Sequence, residues 1–320
     1  MPDLPLITVI TPSYNQADYL EQTILSVLGQ DYPNFEYIIV DGGSTDGSLE
    51  IIRRYADRLA WWVSEPDRGQ ADAINKGLAL AKGEIVAWLN SDDYYLPGTL
   101  ASVAEVFRPD PNLGLAYGDV LSVDSQGKVF NVMRFEDYSL EDLMCFRIIG
   151  QAGVFMRRKV QQKAGTLNPD FHFLLDHHLW LRMAQIASVR YTRQLWAAAR
   201  FHLGAKNVAQ AALFGSEAYK ILDWMQTQPD LVAKLARLRR RSRAGAYRFD
   251  ARYLLDGGQY WNALKTYGRC FWQHPPTALP EWHRIVYALL ALFGLEKLKP
   301  LYLRLRIAFR SQSEPEIYKK

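Results

Sequence analysis

Four short apolar runs punctuate the first part of the chain: Ile7 to Ile10, Tyr37 to Val40, Leu59 to Val63 and Ile85 to Leu89. Each ends in polar or turn-forming residues, and stretches with helical periodicity lie between most of them. This alternation predicts βαβ units. A short strand that is apolar throughout has both faces buried, and the helices that connect such strands supply the cover. The expected fold class is therefore α/β, a Rossmann-like, mostly parallel sheet flanked by helices. Ligands of such sheets bind beyond the carboxyl ends of the strands, so the residues just after each run are the ones to read for chemistry.

Further along, Asp124-Ser-Gln-Gly127 reads as a turn between two strands, and Gly153 to Met156 as another strand. Leu175, Leu179 and Met183 share one helical face, with Asp176 near the start of that helix. Past residue 205 the strand pattern stops and helical periodicity takes over. The expected division is a first domain over residues 1–205, with halves at about 1–120 and 121–205, followed by a basic helical region over 206–320.

Charge reinforces that boundary. The formal net charge is +4, yet residues 1–200 carry 18 Lys+Arg against 25 Asp+Glu, whereas residues 201–320 carry 20 against 9. The two parts are expected to face different partners. Only Cys145 and Cys270 are present, far apart, so neither a disulfide framework nor a zinc site is indicated. No signal-peptide pattern opens the chain, and the longest apolar run, Ile285 to Leu295, is far short of a spanning helix. The expected location is the cytoplasm.

The polar ends of the strands carry the candidate chemistry. Thr11-Pro-Ser-Tyr-Asn15 follows the first, and Asp41-Gly-Gly-Ser-Thr-Asp-Gly47 the second. Gly42, Gly43 and Gly47 permit a tight turn, and Ser44 or Asp46 can cap the next helix. The GxGxxG spacing of dinucleotide sites is absent. Asp67-Arg-Gly69 follows the third strand and Asn90-Ser-Asp-Asp93 the fourth. Adjacent carboxylates at a sheet mouth repel each other, and a hard divalent cation that also bridges a diphosphate relieves the repulsion. Taken alone, such a pair is more often a solvated loop or a helix N-terminus.

Taken together and in this order, Thr11-Pro-Ser-Tyr-Asn15, Val40-Asp-Gly-Gly-Ser-Thr-Asp-Gly47, Asp67-Arg-Gly-Gln-Ala-Asp-Ala-Ile-Asn-Lys-Gly77 and Asn90-Ser-Asp-Asp93 resemble the family 2 glycosyltransferases of GT-A fold. The resemblance implies that Thr11, Pro12, Tyr14, Asp41, Asp67, Asn75 and Asp92 line a nucleotide-sugar site, with Asp41 reaching the base. It implies that Asp93, with Asp92, binds Mn2+ or Mg2+, and that His202 is a metal or phosphate ligand. The segment Leu175-Asp-His-His-Leu-Trp-Leu-Arg182 resembles the family's acidic motif, which puts Asp176 at the position of the catalytic base. Leu175 and His178 depart from that motif, where Glu and an acidic residue are frequent. His177 and His178 point about 100° apart on a helix and so cannot share one ion; surface or supporting roles are expected of them.

The implied activity is an inverting, single-addition transfer from a nucleotide-diphosphate sugar to the hydroxyl of a saccharide or lipid-linked acceptor, in cell-envelope polysaccharide or glycolipid synthesis. A scaffold that binds nucleotide sugars without turnover is the alternative, and the retained Asp92, Asp93 and Asp176 argue against it. In the C-terminal region, Gly258 to Pro275 resembles the second half of one tetratricopeptide unit, which predicts a helical hairpin. The cluster Arg237, Arg239, Arg240, Arg241, Arg243 and Arg248 suits a solvated helix, nucleic acid or an anionic membrane. No nucleic-acid motif accompanies it, so none is expected as a partner. Aromatic and aliphatic residues from Trp282 onward, followed by Lys297, Lys299, Arg304, Arg306 and Arg310, favour peripheral attachment to the inner face of the cell membrane.

Overall fold

The computed structural model describes residues 4–202, 204–205 and 210–295. The chain forms two compact units, Met1–Leu143 with Arg147–Ala205, and Met144–Phe146 with Lys206–Lys320. Lys297, Lys299, Arg304, Arg306 and Arg310 lie outside the described residues.

The first unit is built on strands β1 (Ile7–Ser13), β2 (Phe35–Asp41), β3 (Trp61–Ser64), β4 (Ile85–Trp88), β5 (Tyr94–Tyr95), β6 (Leu113–Val123), β7 (Val129–Met133), β8 (Val154–Arg157) and β9 (Ser188–Arg200). They lie in one sheet in the order β3-β2-β1-β4-β8-β6-β9-β5, with β7 on β6. From β3 to β4 all pairings are parallel. Beyond β4 the sheet is mixed, because β8 runs antiparallel to both β4 and β6 while β9 is parallel to β6. Hydrophobic patterning gives strand existence but not strand direction, so this half could not be oriented from the apolar runs.

Register positions the mouth of the sheet. Ser13 pairs with Asp41, and Asp41 with Ser64, so the ends of β1, β2 and β3 stand level. Leu89 N–H donates to Ile10 C=O, which carries β4 to the same edge. β1 is buried along its whole length, and its polar residues are satisfied inside: Thr8 Oγ1 donates to Glu36 Oε1 (2.6 Å) and accepts from Gly83 N–H (2.8 Å).

Helices α1 (Ala17–Leu28), α2 (Ser48–Arg54), α3 (Gln70–Leu80), α4 (Thr99–Phe107), α5 (Leu140–Met144), α6 (Arg158–Ala164) and α7 (Leu175–Ala184) connect the strands. α1 buries Leu20, Ile24, Val27 and Leu28, spacings that place all four on one face, each burial stabilising by about 1.5–3 kcal/mol. α3 approaches β1 closely because residue 77 is glycine; a Cβ there would lie 2.4 Å from Ile10 Cγ2.

The second unit holds helices α8 (Ala211–Thr227), α9 (Pro229–Asp256), α10 (Tyr260–Gln273) and α11 (Trp282–Leu292). Ala263 and Tyr267 are buried faces of α10, as the helical-hairpin reading of that stretch expects. One arginine of the cluster expected to be solvated or to face an anionic partner is internal. Arg248 is buried and donates to Phe146 C=O (2.8 Å), and Ser242 Oγ donates to Met144 C=O (2.6 Å). The segment Met144–Phe146 lies so close to α9 that a Cβ on Gly245 would sit 2.0 Å from the Cys145 carbonyl oxygen. Glu281 is buried between Arg252 and Arg284, which pull its carboxyl down to about 2 against the desolvation that opposes them.

Candidate functional site

The loops after β1 and β2 are fastened to each other. Asn15 N–H donates to Ser44 Oγ (2.8 Å), Thr45 N–H donates to Asn15 Oδ1 (2.9 Å), and Ala17 N–H donates to Asp46 Oδ2 (2.9 Å). Asn15 and Gly47 both take positive φ to allow this, at 51° and 99°. Asp46, not Ser44, serves the start of α2, its Oδ1 accepting from Ser48 N–H.

Asp41 organises that turn from beneath. It is fully buried, and its carboxylate accepts from Gly43 N–H, Ser44 N–H, Ser44 Oγ and Ser64 Oγ at 2.5–3.1 Å. A carboxylate can accept about four hydrogen bonds, and four are supplied here by the turn and by Ser64, so Asp41 shapes the loop at which a base is expected. Asp67 is the partly exposed neighbour. A Cβ on Gly42 would stand 2.7 Å from Asp67 Oδ2, so the glycine is what allows the Asp67 carboxylate to approach the turn. Tyr14, in the loop after β1, is 61% exposed.

Three further residues expected at the site, Thr11, Pro12 and Asn75, have these surroundings. Thr11 is buried, with its Oγ1 and the Tyr37 hydroxyl 2.9 Å apart, and Pro12 is buried in β1 opposite Val40. Asn75 donates from Nδ2 to Leu167 C=O and accepts at Oδ1 from Leu167 N–H, both at 2.9 Å. The amide pins the segment that leads into α7, so Asn75 positions that segment.

The acidic pair after β4 is held from several sides. Thr23 Oγ1 donates to Ser91 C=O and Asp93 C=O, and Arg200 N–H donates to Asp93 Oδ1 (2.9 Å). Arg200 Nε also donates to Asp92 C=O (3.0 Å), with its guanidinium 4.7 Å from the Tyr19 ring centre. The Asp93 carboxyl is held well above the usual range, first by burial and then by the charge of Asp92. His202 Nε2 lies 3.2 Å from Asp92 Oδ2, its ring tilted against Tyr19. Asp92, Asp93 and His202 thus come together as expected. Among the described residues no three His, Cys, Asp or Glu side chains form a ready-made metal cage, so an ion here would draw further ligands from a bound diphosphate.

Asp176 occupies the second position of α7, after an N-cap, Leu174, whose side chain cannot cap. Its Oδ1 accepts from His177 N–H (2.7 Å), and the helix start favours negative charge there. One turn later, on the same face, Trp180 stacks on Trp88 with ring centres 5.2 Å apart. Trp88 ends β4, four residues before Asp92, so this stack seats the helix of Asp176 against the strand that carries the acidic pair.

His177 and His178 are buried, which leaves the supporting role of the two expected for them. His178 stacks on Phe171 at 4.5 Å, and His177 Nε2 lies 3.1 Å from Leu143 C=O. Burial pushes His177 down to about 4 and His178 to about 3. An unfolded histidine titrates near 6.5, so between that pH and the folded values the unfolded chain binds protons that the folded chain rejects. The stability contributed by the neutral pair is fully present above about pH 6.5 and is lost as pH falls toward 4, on the order of a few kcal/mol. Tm should drop over that interval, and less steeply in His178→Leu; equal slopes would remove the pair as the cause.

Arg200 is the site residue that sequence reading missed. It closes a long strand without any motif around it, and only the pairing of β9 with β6, and of Tyr94 with Ala198, brings it beneath Asp92 and Asp93.

Comparison with known proteins bears on the family and the fold. The profile of Glycosyl transferase family 2 matches residues 8–162. The Bacillus subtilis glycosyltransferase TuaG, assigned provisionally to teichuronic acid biosynthesis, is 49% identical over 192 residues, covering 58% of this chain and 75% of TuaG. Other curated relatives are much longer: the chain spans 36% of the length of two uncharacterised Rickettsia glycosyltransferases. Among solved structures, residues 1–349 of S. aureus TarS in complex with UDP-GlcNAc superpose with a TM-score of 0.57 at 16% identity, covering 96% of this chain and 92% of that one. The mannosyltransferase PcManGT of Pyrobaculum calidifontis, in complex with GDP-Man and Mn2+, gives 0.59 at 20% identity, covering 93% and 85%. At such identities these two share the fold, which is the GT-A architecture anticipated from the motifs.

Proposed function

The chain belongs to glycosyltransferase family 2, and on that premise we propose that it transfers a single sugar, with inversion, from a nucleotide-diphosphate sugar to a hydroxyl acceptor. The observation that carries this reading is the gathering of Asp92, Asp93 and His202 at the end of β4, against which Trp180 seats the helix of Asp176. TuaG's printed role supports a setting in cell-envelope polysaccharide or glycolipid synthesis. The UDP-GlcNAc and GDP-Man seen in the two solved structures support a nucleotide-sugar donor, and the Mn2+ of the second supports a divalent cation.

The residues divide the work. Asp67 and Tyr14 meet the nucleotide, while Asp41 behind them holds the turn in shape. Asp93, with Asp92 and His202, would hold Mn2+ or Mg2+, and the fit follows from Asp93 itself: a buried carboxyl that resists ionisation beside a second carboxylate is stabilised in its charged form by a cation. Such a cation offsets the charge that grows on the departing diphosphate. Asp176 takes the proton of the acceptor hydroxyl as its oxygen bonds to the anomeric carbon and the bond from that carbon to the diphosphate oxygen breaks. One displacement from the face opposite the leaving group inverts the anomeric centre. The acceptor is a saccharide or a lipid-linked carrier, the latter met at the inner face of the cell membrane.

The test is release of nucleoside diphosphate from a panel of UDP- and GDP-sugars with Mn2+ and with chelator. Metal-dependent release from one donor class is expected. Tight nucleotide-sugar binding with no release from any donor, across a range of saccharide and lipid-linked acceptors, would replace this reading with that of a non-catalytic scaffold.

A further inference from the structure

Helix α11 presents an outward face that no water-facing helix should have. Its exposed positions are Trp282, Val286, Leu289 and Leu292, continued by Phe293, all between 43% and 81% accessible. The spacing puts Trp282, Val286, Leu289 and Phe293 on one stripe. The opposite face, with Tyr287, Ala288 and Ala291, is already buried inside the unit. A helix with only its inner face in the core is expected to turn charged or polar residues outward, and contiguous exposed apolar surface of this kind marks a contact.

The surroundings identify the partner's chemistry. Residues 232–295 contain 11 Lys+Arg and 3 Asp+Glu, and the three carboxylates are engaged within the unit. Asp250 accepts from the Tyr219 hydroxyl (2.6 Å), Glu281 pairs with Arg252 and Arg284, and Asp256 lies 3.8 Å from Arg284. The cations stay largely outside. Lys265 stands over the exposed Trp261 ring at 5.0 Å, and Arg240 runs along the exposed Trp272, donating to its carbonyl and that of Gln273. An exposed apolar stripe in a unit that also exposes these cations and amphipathic tryptophans suits one environment, the boundary between anionic headgroups and acyl chains. A nucleic acid would use the cations but give the aliphatic stripe nothing to bind.

We infer that the outer face of α11 docks on an anionic lipid bilayer, the Trp282–Val286–Leu289–Phe293 stripe entering the acyl boundary while α9 and α10 supply charge to the headgroups. This rests on the proposed peripheral location and names the surface responsible for it. The full chain should sediment with vesicles of phosphatidylcholine mixed with phosphatidylglycerol, more weakly as salt is raised and barely with phosphatidylcholine alone. Val286→Glu/Leu289→Glu should weaken that binding on the order of tenfold or more, because two charges would have to enter the acyl boundary. Its Tm and its nucleotide-sugar turnover in solution should stay at wild-type levels, which keeps a failure of this surface distinct from a failure of the catalytic reading. Three results would each overturn the inference. They are unchanged vesicle binding by the variant, a Tm lowered by several degrees, which would show the stripe packed within the protein, and a wild-type dimer that the variant converts to monomer.

Discussion

Asp176→Asn is expected to lower kcat on the order of 10²–10⁴-fold, the range over which positioned general bases contribute, while nucleotide binding stays at the wild-type level. The asparagine keeps the volume of Asp176 and an oxygen for the His177 N–H, so α7 has no reason to move. What disappears is the ability to take a proton from the acceptor. Titrating the variant with the nucleotide separates the two effects. A variant that turns over normally would exclude Asp176 as base, and one that loses nucleotide binding as well would make its role structural.

The second large effect concerns Asp93→Asn. Its carboxyl is buried, and its ionised form is opposed by desolvation and by Asp92. The expected outcome is loss of metal-stimulated nucleotide binding and a fall in kcat/KM on the order of 10²-fold or more, as a cation contributes several kcal/mol at a leaving group. Stability should move the other way. A carboxyl whose folded pKa lies above its unfolded value costs stability at neutral pH, so Tm of the metal-free variant should not fall below that of the wild type. Arg200 N–H can still find an oxygen on the asparagine, which guards against local collapse. Retained metal stimulation in this variant would move the cation elsewhere.

Much of this site was legible before any coordinates because its residues sit where parallel strands end. The apolar runs at Ile7, Tyr37 and Ile85 fixed three neighbouring strands, and the polar residues after them fell at one edge. The order of the motifs, through the family they resemble, singled out Asp92 and Asp93, which the structure sets beside His202. Direction of the side chain was not legible. Thr11 and Asp41 stand at the mouth of the sheet yet face inward, satisfied by Tyr37 and by the 43–44 turn with Ser64, and only packing distinguishes an inward from an outward residue at a strand end. Asn75 likewise carries the right chemistry for a ligand, but Leu167, distant in sequence, takes both ends of its amide. His177 and His178 read as polar on a helix that turned out to be buried on most of its circumference. Strand β5, two residues long, and the polar stretch of β9 carry too little apolar patterning to be seen as strands, which is why Arg200 went unnoticed.

The basic C-terminal region shows the same division. Its charge excess was countable, whereas the assignment of Arg248 to the Phe146 carbonyl and of Arg284 to Glu281 depended on tertiary packing. Subtracting those internal cations leaves an exposed set, and the apolar stripe on α11 becomes visible only once its other face is known to be buried.

The most direct measurement is a crystal structure of the full chain with a nucleoside diphosphate and Mn2+. The account predicts the ion bound to Asp93 and bridging the diphosphate at the end of β4, the base against Asp67 and Tyr14, and the Asp176 carboxylate facing the position the donor sugar would fill. A diphosphate bound away from the ends of β1, β2 and β4, or an ion with no contact to Asp92 or Asp93, would contradict it.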